Sequence, residues 1–357
     1  VIFLRSTLRE FTATGVAIFV VLLAITFTSL LIRLLGYAAR GRLPADAVFT
    51  LIGFGTLRYV SVLLSATLFL AILLTLTRAY RDSEMVVWHS AGVSLLQWCK
   101  PVAAFALPVL LAVTLLSLYL TPWAIGESER FRYQLENRDD VSAVAPGVFR
   151  ESKNAERVFF VEKVSSDLSQ VANVFVHSAQ SGRQGVMVAS RGYLQTMDNG
   201  DRFLVMLNGR RYEGTPGQAD YRVSAFGRYA VRIEQSEVKS FFPTQRSLPT
   251  STLLQDPTPI NLGELATRIG TPLSTVILAL LAIPMSTVNP RTGRSFNLIM
   301  AVFVFMIYTN LVSLSQTWIS RGKMSPLVGV SAVHAAMFAL LVLLFAWRTG
   351  WLRRLRR

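Results

Sequence analysis

Cysteine is almost absent: Cys99 stands alone in 357 residues, so no internal disulfide can form. Its setting, LLQWCKP, puts it at the mouth of an apolar run, where a structural role is expected. Histidine is nearly as scarce. His89, His177 and His334 lie far apart, with no Cys or carboxylate at ligand spacing, so no zinc site is expected. No G-x-x-x-x-G-K-[ST] string occurs, and RGKMS at 321–325 lacks both the leading glycine and a Ser/Thr directly after Lys. Without that phosphate cradle the chain is not expected to hydrolyse ATP itself. Gly53 and Gly55 in GFGTLR make no nucleotide fingerprint, and no Ser-His-Asp or Cys-His arrangement can be argued. The sequence therefore implies neither a catalyst nor a resident cofactor. Internal repeats are also missing, as are low-complexity tracts beyond the Pro/Thr/Ser-rich FFPTQRSLPTSTLLQDPTPI.

Charge is missing from long stretches. The chain is 52% hydrophobic and 16% charged, with mean hydropathy +0.43, which suits a membrane protein. A bilayer core of roughly 30 Å takes about 20 apolar residues in a helix. Six runs meet that length: about 11–33, 52–77, 101–124, 269–289, 296–319 and 326–347. Arg58 interrupts the second near its start. The first run, FTATGVAIFVVLLAITFTSLLI, exceeds the apolar core of a cleaved signal peptide and no A-x-A site follows, so a retained anchor is expected. Gly53 and Gly55 fall in the second run, where small residues serve helix packing.

Acidic residues are few, 21 against 36 basic, and the net charge of +15 is unevenly placed. Residues 122–268 hold 18 basic and 17 acidic side chains; the rest holds 18 and 4. The excess belongs to the apolar part, which argues against nucleic acid and for an anionic lipid surface as partner. Six spans put both termini on one side. With Arg5, Arg9, Arg78, Arg81, Lys100, Arg291, Arg294, Arg348, Arg353, Arg354, Arg356 and Arg357, that side outweighs the other, which has Arg33, Arg40, Arg42, Arg321 and Lys323. The positive-inside rule then makes the termini cytoplasmic and puts 125–265 outside. Three arginines in RLLGYAARGRLPAD run against that rule.

The segment 125–265 reads as β. RVFFVEKV, NVFVHSAQ, GVMVASRGYLQTM, RFLVMLNGRRYEG and RYAVRIEQSEV are rich in Val, Phe, Tyr and Met with partial alternation. Asp198-Asn199-Gly200 marks a hairpin between two of them. A sandwich or jelly roll is expected rather than an α/β domain. FFPTQRSLPTSTLLQDPTPI then reads as a linker back to the membrane. Asp139-Asp140 is read as a solvated pair. The fold class expected is a membrane α-helical protein of six transmembrane helices with an inserted all-β, jelly-roll-like periplasmic domain. Its parts are 1–124, 125–265, and 266–357 with a basic tail.

RAYRDSEMVVWHSAGVS, residues 78–94, lies between two uncharged runs. Asp82 or Ser83 can cap a helix, Glu84 would sit in its first turn where the dipole favours an acid, and Gly92 stops it. A helix over about 82–92 is too short to stand alone in water. Met85, Val86, Val87, Trp88 and Ala91 supply apolar surface. Two readings stay open: an interfacial helix with Trp88 at headgroup level, or a docking helix for a cytoplasmic partner.

LLTLTRAYRDSEMVVWHSAGVS resembles the coupling-helix segment of the LptF/LptG (YjgP/YjgQ) permease family, and IPMSTVNPRTGRS, residues 283–295, resembles a second family motif. RLLGYAARGRLP and LNGRRYEGTP look more like the LptF branch than the LptG branch. The resemblance covers essentially the whole chain. It implies a permease that pairs with a sister permease of the LptG kind in the Gram-negative inner membrane and associates with an LptB-like ATPase dimer, which uses the ATP. The complex would extract lipopolysaccharide from the outer leaflet and pass it through β-jelly-roll domains to LptC-like and LptA-like proteins. Glu84 then matches the acidic residue that docks in the ATPase, with Arg81, Val87 and Trp88 beside it. Lipid A carries phosphates, for which Arg33, Arg40, Arg42 and Arg58 are candidate ligands, since Arg grips phosphate bidentately. Snorkelling to headgroups is the alternative for the first three, and a pairing with Asp46 for Arg58. His334 within the sixth run is either a helix–helix hydrogen bond or a functional polar group. Phe159, Val161, Phe175 and Val176 suit a lipid-lining or a core role equally. The rivals are the sister subunit, a lipid-modifying membrane enzyme, and a scaffold without transport activity.

Overall fold

The computed structural model describes residues 2–40, 43–138, 147, 149–151, 157–164, 170–180, 183–196, 202–215, 220–233, 241–287 and 294–349. Arg42, Asp139-Asp140 and the Asp198-Asn199-Gly200 turn lie outside them. Among the described residues six helices are long and apolar enough to cross a membrane, and an all-β segment is inserted between the third and the fourth. The chain divides into two compact units, one of residues 1–130 and 242–357 and one of residues 131–241.

In the first unit α1 (Ile2–Ala39) and α2 (Ala47–Arg81) are followed by the short α3 (Glu84–Ser90). A 3-10 turn (Leu95–Trp98), α4 (Cys99–Leu115), a π-helical turn (Leu116–Leu120) and α5 (Thr121–Arg138) run on without a break. The third span therefore continues well past residue 124. Its extension, IGESERFRYQLENR, is polar but made largely of strong helix formers, and an Arg130–Glu127 pair at 3.0 Å bridges one turn of it. Helicity outlasts apolarity there.

The return to the membrane is made by α6 (Thr250–Gln255) and α7 (Pro259–Met285), then α8 (Arg294–Ser320) and α9 (Pro326–Arg348). Both α7 and α9 start at a capping hydroxyl followed by Pro: Thr258 accepts from the Asn261 N–H and Ser325 from the Val328 N–H. The cap takes one free N–H, and Pro at the first position has none to lose. This start places α7 some ten residues ahead of the apolar run that announces it.

The core of this unit is built on α2 and α7, whose apolar windows are 61% and 56% buried, against 11–22% for the other spans. Lipid is as apolar as Leu, so close packing of small and weakly polar residues must hold such helices together. Thr275 accordingly donates to Ser65 at 2.9 Å across the α2–α7 contact. Gly55 lies opposite Leu30 of α1, which a Cβ there would meet at 3.4 Å in ordinary contact, whereas Gly53 faces open space.

The second unit holds β1 (Arg150–Glu151), β2 (Arg157–Val164), β3 (Gln170–Gln180), β4 (Arg183–Thr196), β5 (Arg202–Gly214) and β6 (Arg222–Ile233). They form one antiparallel sheet in chain order. Val161, Val174, Val176, Met187, Ala189, Leu204, Met206 and Val231 gather on its buried face. Phe159 packs on that cluster, while Phe175 points the other way, towards Phe149. The alternation slips by one residue along a row that crosses the sheet. In β3 the buried face passes from Val174 to Val171, in β4 from Ala189 to Gly192 and in β5 from Gly209 to Met206. Glu162, Asn173, Ser190, Asn208 and Gly227 mark that row, and Asn173 and Asn208 both have φ 51°. The left-handed region is open to Asn at modest cost, and the pairing register runs on unchanged across the row, so the faces exchange without an inserted residue. Asn173 also donates to Glu162 at 2.6 Å. The sheet is thus creased along a line of four polar residues and a glycine.

Candidate functional site

α3 leaves α2 through a sharp corner. Ser83 has φ 61°, and although it occupies the capping position its hydroxyl makes no cap hydrogen bond. Asp82 bonds sideways to Arg81 at 2.9 Å, and that guanidinium holds its carboxyl below the usual carboxylate range. The helix ends as its sequence demands: Gly92 has φ 87°, and the His89 Nδ1 meets the Val93 carbonyl at 2.8 Å.

One side of α3 is seated in the protein. Met85 is 1% exposed and joins the core cluster that includes Trp98 and Val102, with Trp88 packed against it. The other side is bare. Val86 and Val87 are 67% and 66% exposed, and Leu96 of the following turn is 61% exposed. Glu84 is also exposed. The surface offered outward is thus Glu84, Val86, Val87 and Leu96, while Trp88 is half a root. Sequence reading named Glu84, Val86 and Val87 but not Leu96, and did not separate the bare Val86 and Val87 from the seated Met85, because the seat that sorts the two faces is made by distant helices.

Arg78 in the last turn of α2 joins three elements. Its Nη2 lies 2.8 Å from Glu10 of α1 and 3.6 Å from Glu84. All three side chains are near half exposed, so each pair contributes at most about 1 kcal/mol. One residue earlier, Thr77 donates to the Ser286 carbonyl at 3.4 Å and accepts from Asn297 at 3.1 Å. Arg348 donates to the Thr287 carbonyl at 3.2 Å. The described part of IPMSTVNPRTGRS is therefore tied to the end of α2 at Ser286 and to the end of α9 at Thr287, with Asn297 of α8 on the same Thr77.

At the opposite ends of the spans, Arg33 is exposed on α1, Arg40 is exposed in the turn just after it, and Arg58 is exposed on α2. Arg58 lies 5.6 Å from the Tyr59 ring centroid, and among the described residues no ion pair joins it to Asp46. Exposed guanidiniums of this kind can reach a phosphate oxygen from the membrane side.

The buried polar groups inside the spans include His334 and Arg268. His334 of α9 pairs with the Tyr308 hydroxyl of α8 at 2.6 Å, the helix–helix hydrogen bond that was one of its two readings. Arg268 of α7 was missed altogether. It is 2% exposed and pairs with Glu264 at 3.1 Å. It fell just outside an apolar window counted from 269. The spacing of Glu264 and Arg268, one helical turn, was the signal that could have found it. Among the described residues no group of three or more potential ligands could hold a metal.

The family model for the lipopolysaccharide export system permease LptF/LptG matches residues 5–347. The lipopolysaccharide export system permease protein LptF of Escherichia coli strain K12 is 28% identical over 356 residues, which cover 99% of this chain and 97% of the relative. Proteins of the same name from Escherichia coli O157:H7 and Shigella flexneri match to the same extent.

Proposed function

The chain belongs to the lipopolysaccharide export system permease LptF/LptG family, and from that premise we propose that it is the LptF-type subunit of an ATP-driven extractor. The observation that carries the ATP-driven part is α3, a helix rooted by Met85 in the core of the spans yet offering Glu84, Val86 and Val87 to a partner. A solvated turn needs no such pairing of a firm seat with a bare apolar face. The partner is an LptB-like ATPase dimer, and the chain itself takes no part in hydrolysis. Closure of the ATPases displaces α3, and α2 and α4 move with it because they flank it in the chain. A cavity shared with an LptG-like permease narrows, and the acyl chains lose their apolar contacts. Arg33, Arg40, Arg42 and Arg58 hold the phosphates of lipid A at the outer leaflet. The lipid leaves by way of the β unit towards LptC-like and LptA-like jelly rolls, which it meets by strand addition. The inner membrane is the setting, with both termini cytoplasmic and the β unit periplasmic.

The test is reconstitution. The chain, a sister permease and the ATPase are placed in liposomes with lipopolysaccharide, and release to a soluble jelly-roll acceptor is followed. ATP-dependent release that needs this chain is expected; ATP hydrolysis without release in its presence sinks the reading. Rescue of an LptF-depleted strain but not an LptG-depleted one fixes the branch, and the opposite pattern reverses it.

A further inference from the structure

Arg268 sits where four stretches of chain meet. Its Nε donates to Glu264 at 3.1 Å, its Nη1 to the Thr250 hydroxyl at 2.8 Å, and its Nη2 to the carbonyls of Gln245 and Arg246 at 3.3 and 3.1 Å. Thr250 in turn donates to the Leu118 carbonyl at 2.5 Å, and Ser117 donates to the carbonyl of Arg268 itself at 3.0 Å. Ser117 and Leu118 belong to the π-helical turn of the third span. Gln316 of α8 closes the set on Glu264 at 3.3 Å. Just upstream, the Thr244 N–H and hydroxyl both bond Glu129 of α5, at 3.2 and 2.6 Å.

A charge removed from water is expensive, and a well-packed apolar side chain is often as stable in its place. Gripping a carboxylate of its own helix and three points of the linker at once, however, needs a planar group with several donors, which only Arg supplies. The segments it holds have one thing in common. They are the outgoing third span and the linker that brings the chain back from the β unit. π-helical turns favour peptide carbonyls displaced from the regular ladder and recur at functional sites, and here Thr250 bonds one of the carbonyls in that turn.

We propose that Arg268 is a positioning residue that bolts the return linker, residues 244–250, to the π-helical turn of the third span. The bolt lets a displacement begun at α3 reach both covalent routes to the β unit together. This rests on the transport reading given above. Arg268 touches no lipid in this scheme and acts through Thr250 and the linker backbone.

Arg246 supplies a direct readout, because its side chain is exposed while Arg268 holds its carbonyl. The full complex in bilayer discs is treated with trypsin, and the peptide ending at Arg246 is quantified. Two variants carry the test, with Arg268→Lys as the conservative control: Thr250→Val, which removes only the bridging hydroxyl, and Glu264→Gln with Arg268→Met, which removes both charges so that neither is stranded. Cleavage after Arg246 is expected to rise by about tenfold or more in the double variant, as loss of hydrogen bonds to a charged group implies. Thr250→Val is expected to give a smaller rise. Arg268→Lys, with the charge but not the fork, is expected to restore part of the protection. ATP hydrolysis should persist, and lipopolysaccharide delivered per ATP should fall in step with the exposed linker. Unchanged cleavage in both variants overturns the bolt, as does faster cleavage with delivery per ATP intact. Failure of all the variants to assemble overturns it too, by making Arg268 a folding residue alone. If the wild-type complex delivers no lipid, the transport reading fails, and the cleavage data still decide whether Arg268 holds the linker.

Discussion

At the scale of single residues, polar groups in this membrane unit are placed where they join helices. Tyr308→Phe removes one such join without changing shape. The expected loss is about 1 kcal/mol, since hydrogen bonds between membrane helices contribute roughly 0.6–2 kcal/mol. Thermal unfolding in detergent should therefore move to lower temperature, and His334→Ala should cost more because it strands a buried hydroxyl and leaves a hole. An unchanged midpoint in Tyr308→Phe would remove the pair from the account of stability. The arginines at the other ends of the spans carry a different expectation. Arg33→Glu, Arg40→Glu and Arg58→Glu should each weaken lipopolysaccharide binding by about tenfold, the order of one charge-assisted hydrogen bond, while the stability of the free chain stays put. Binding to detergent-solubilised complex, measured at two salt concentrations, reads this directly. Affinity indifferent to all three charge reversals would return them to ordinary headgroup contacts.

At the scale of elements, the crease in the sheet and the seat of α3 are the features with consequences. Asn208 with φ 51° tolerates glycine but not a β-branched side chain. Asn208→Gly should leave the β unit near its original stability, and Asn208→Val should cost roughly 1–3 kcal/mol. Equal unfolding curves for the two would mean that the crease is not fixed by that backbone conformation. Met85→Ala should loosen α3 by about 2–5 kcal/mol, the cost of emptying a buried Met site, and amide exchange across 84–93 should quicken while α2 stays protected. The spans, the short helix and the inserted strands were all legible, because uncharged runs of the right length, a Gly stop and strand-like Val/Phe runs are local signals. Three things were not. The third span outran its apolar run because Glu, Arg and Gln sustain a helix without hydrophobicity. The crease was hidden because alternation slips there, so that β3 to β5 read only as partly alternating. The face of α3 that is bare was decided by Trp98 and Val102, which sequence spacing cannot bring to Met85.

At the scale of the whole molecule, the excess of positive charge belongs to the span-bearing parts of the chain, while the middle is charged but balanced. A net charge of +14 out of +15 resides outside residues 122–268, which hold nearly equal numbers of acids and bases. Glu84 is the point at which force is proposed to enter, and the most direct measurement compares wild type with Glu84→Ala in the reconstituted complex. It records the ATPase retained on co-purification and the lipopolysaccharide released per ATP hydrolysed. The account predicts that Glu84→Ala loses the ATPase, or keeps it and releases far less lipid for each ATP. Equal retention and equal release would contradict it: Glu84 would then serve only the dipole of α3 and its contact with Arg78, and the coupling assigned to this acid would be wrong.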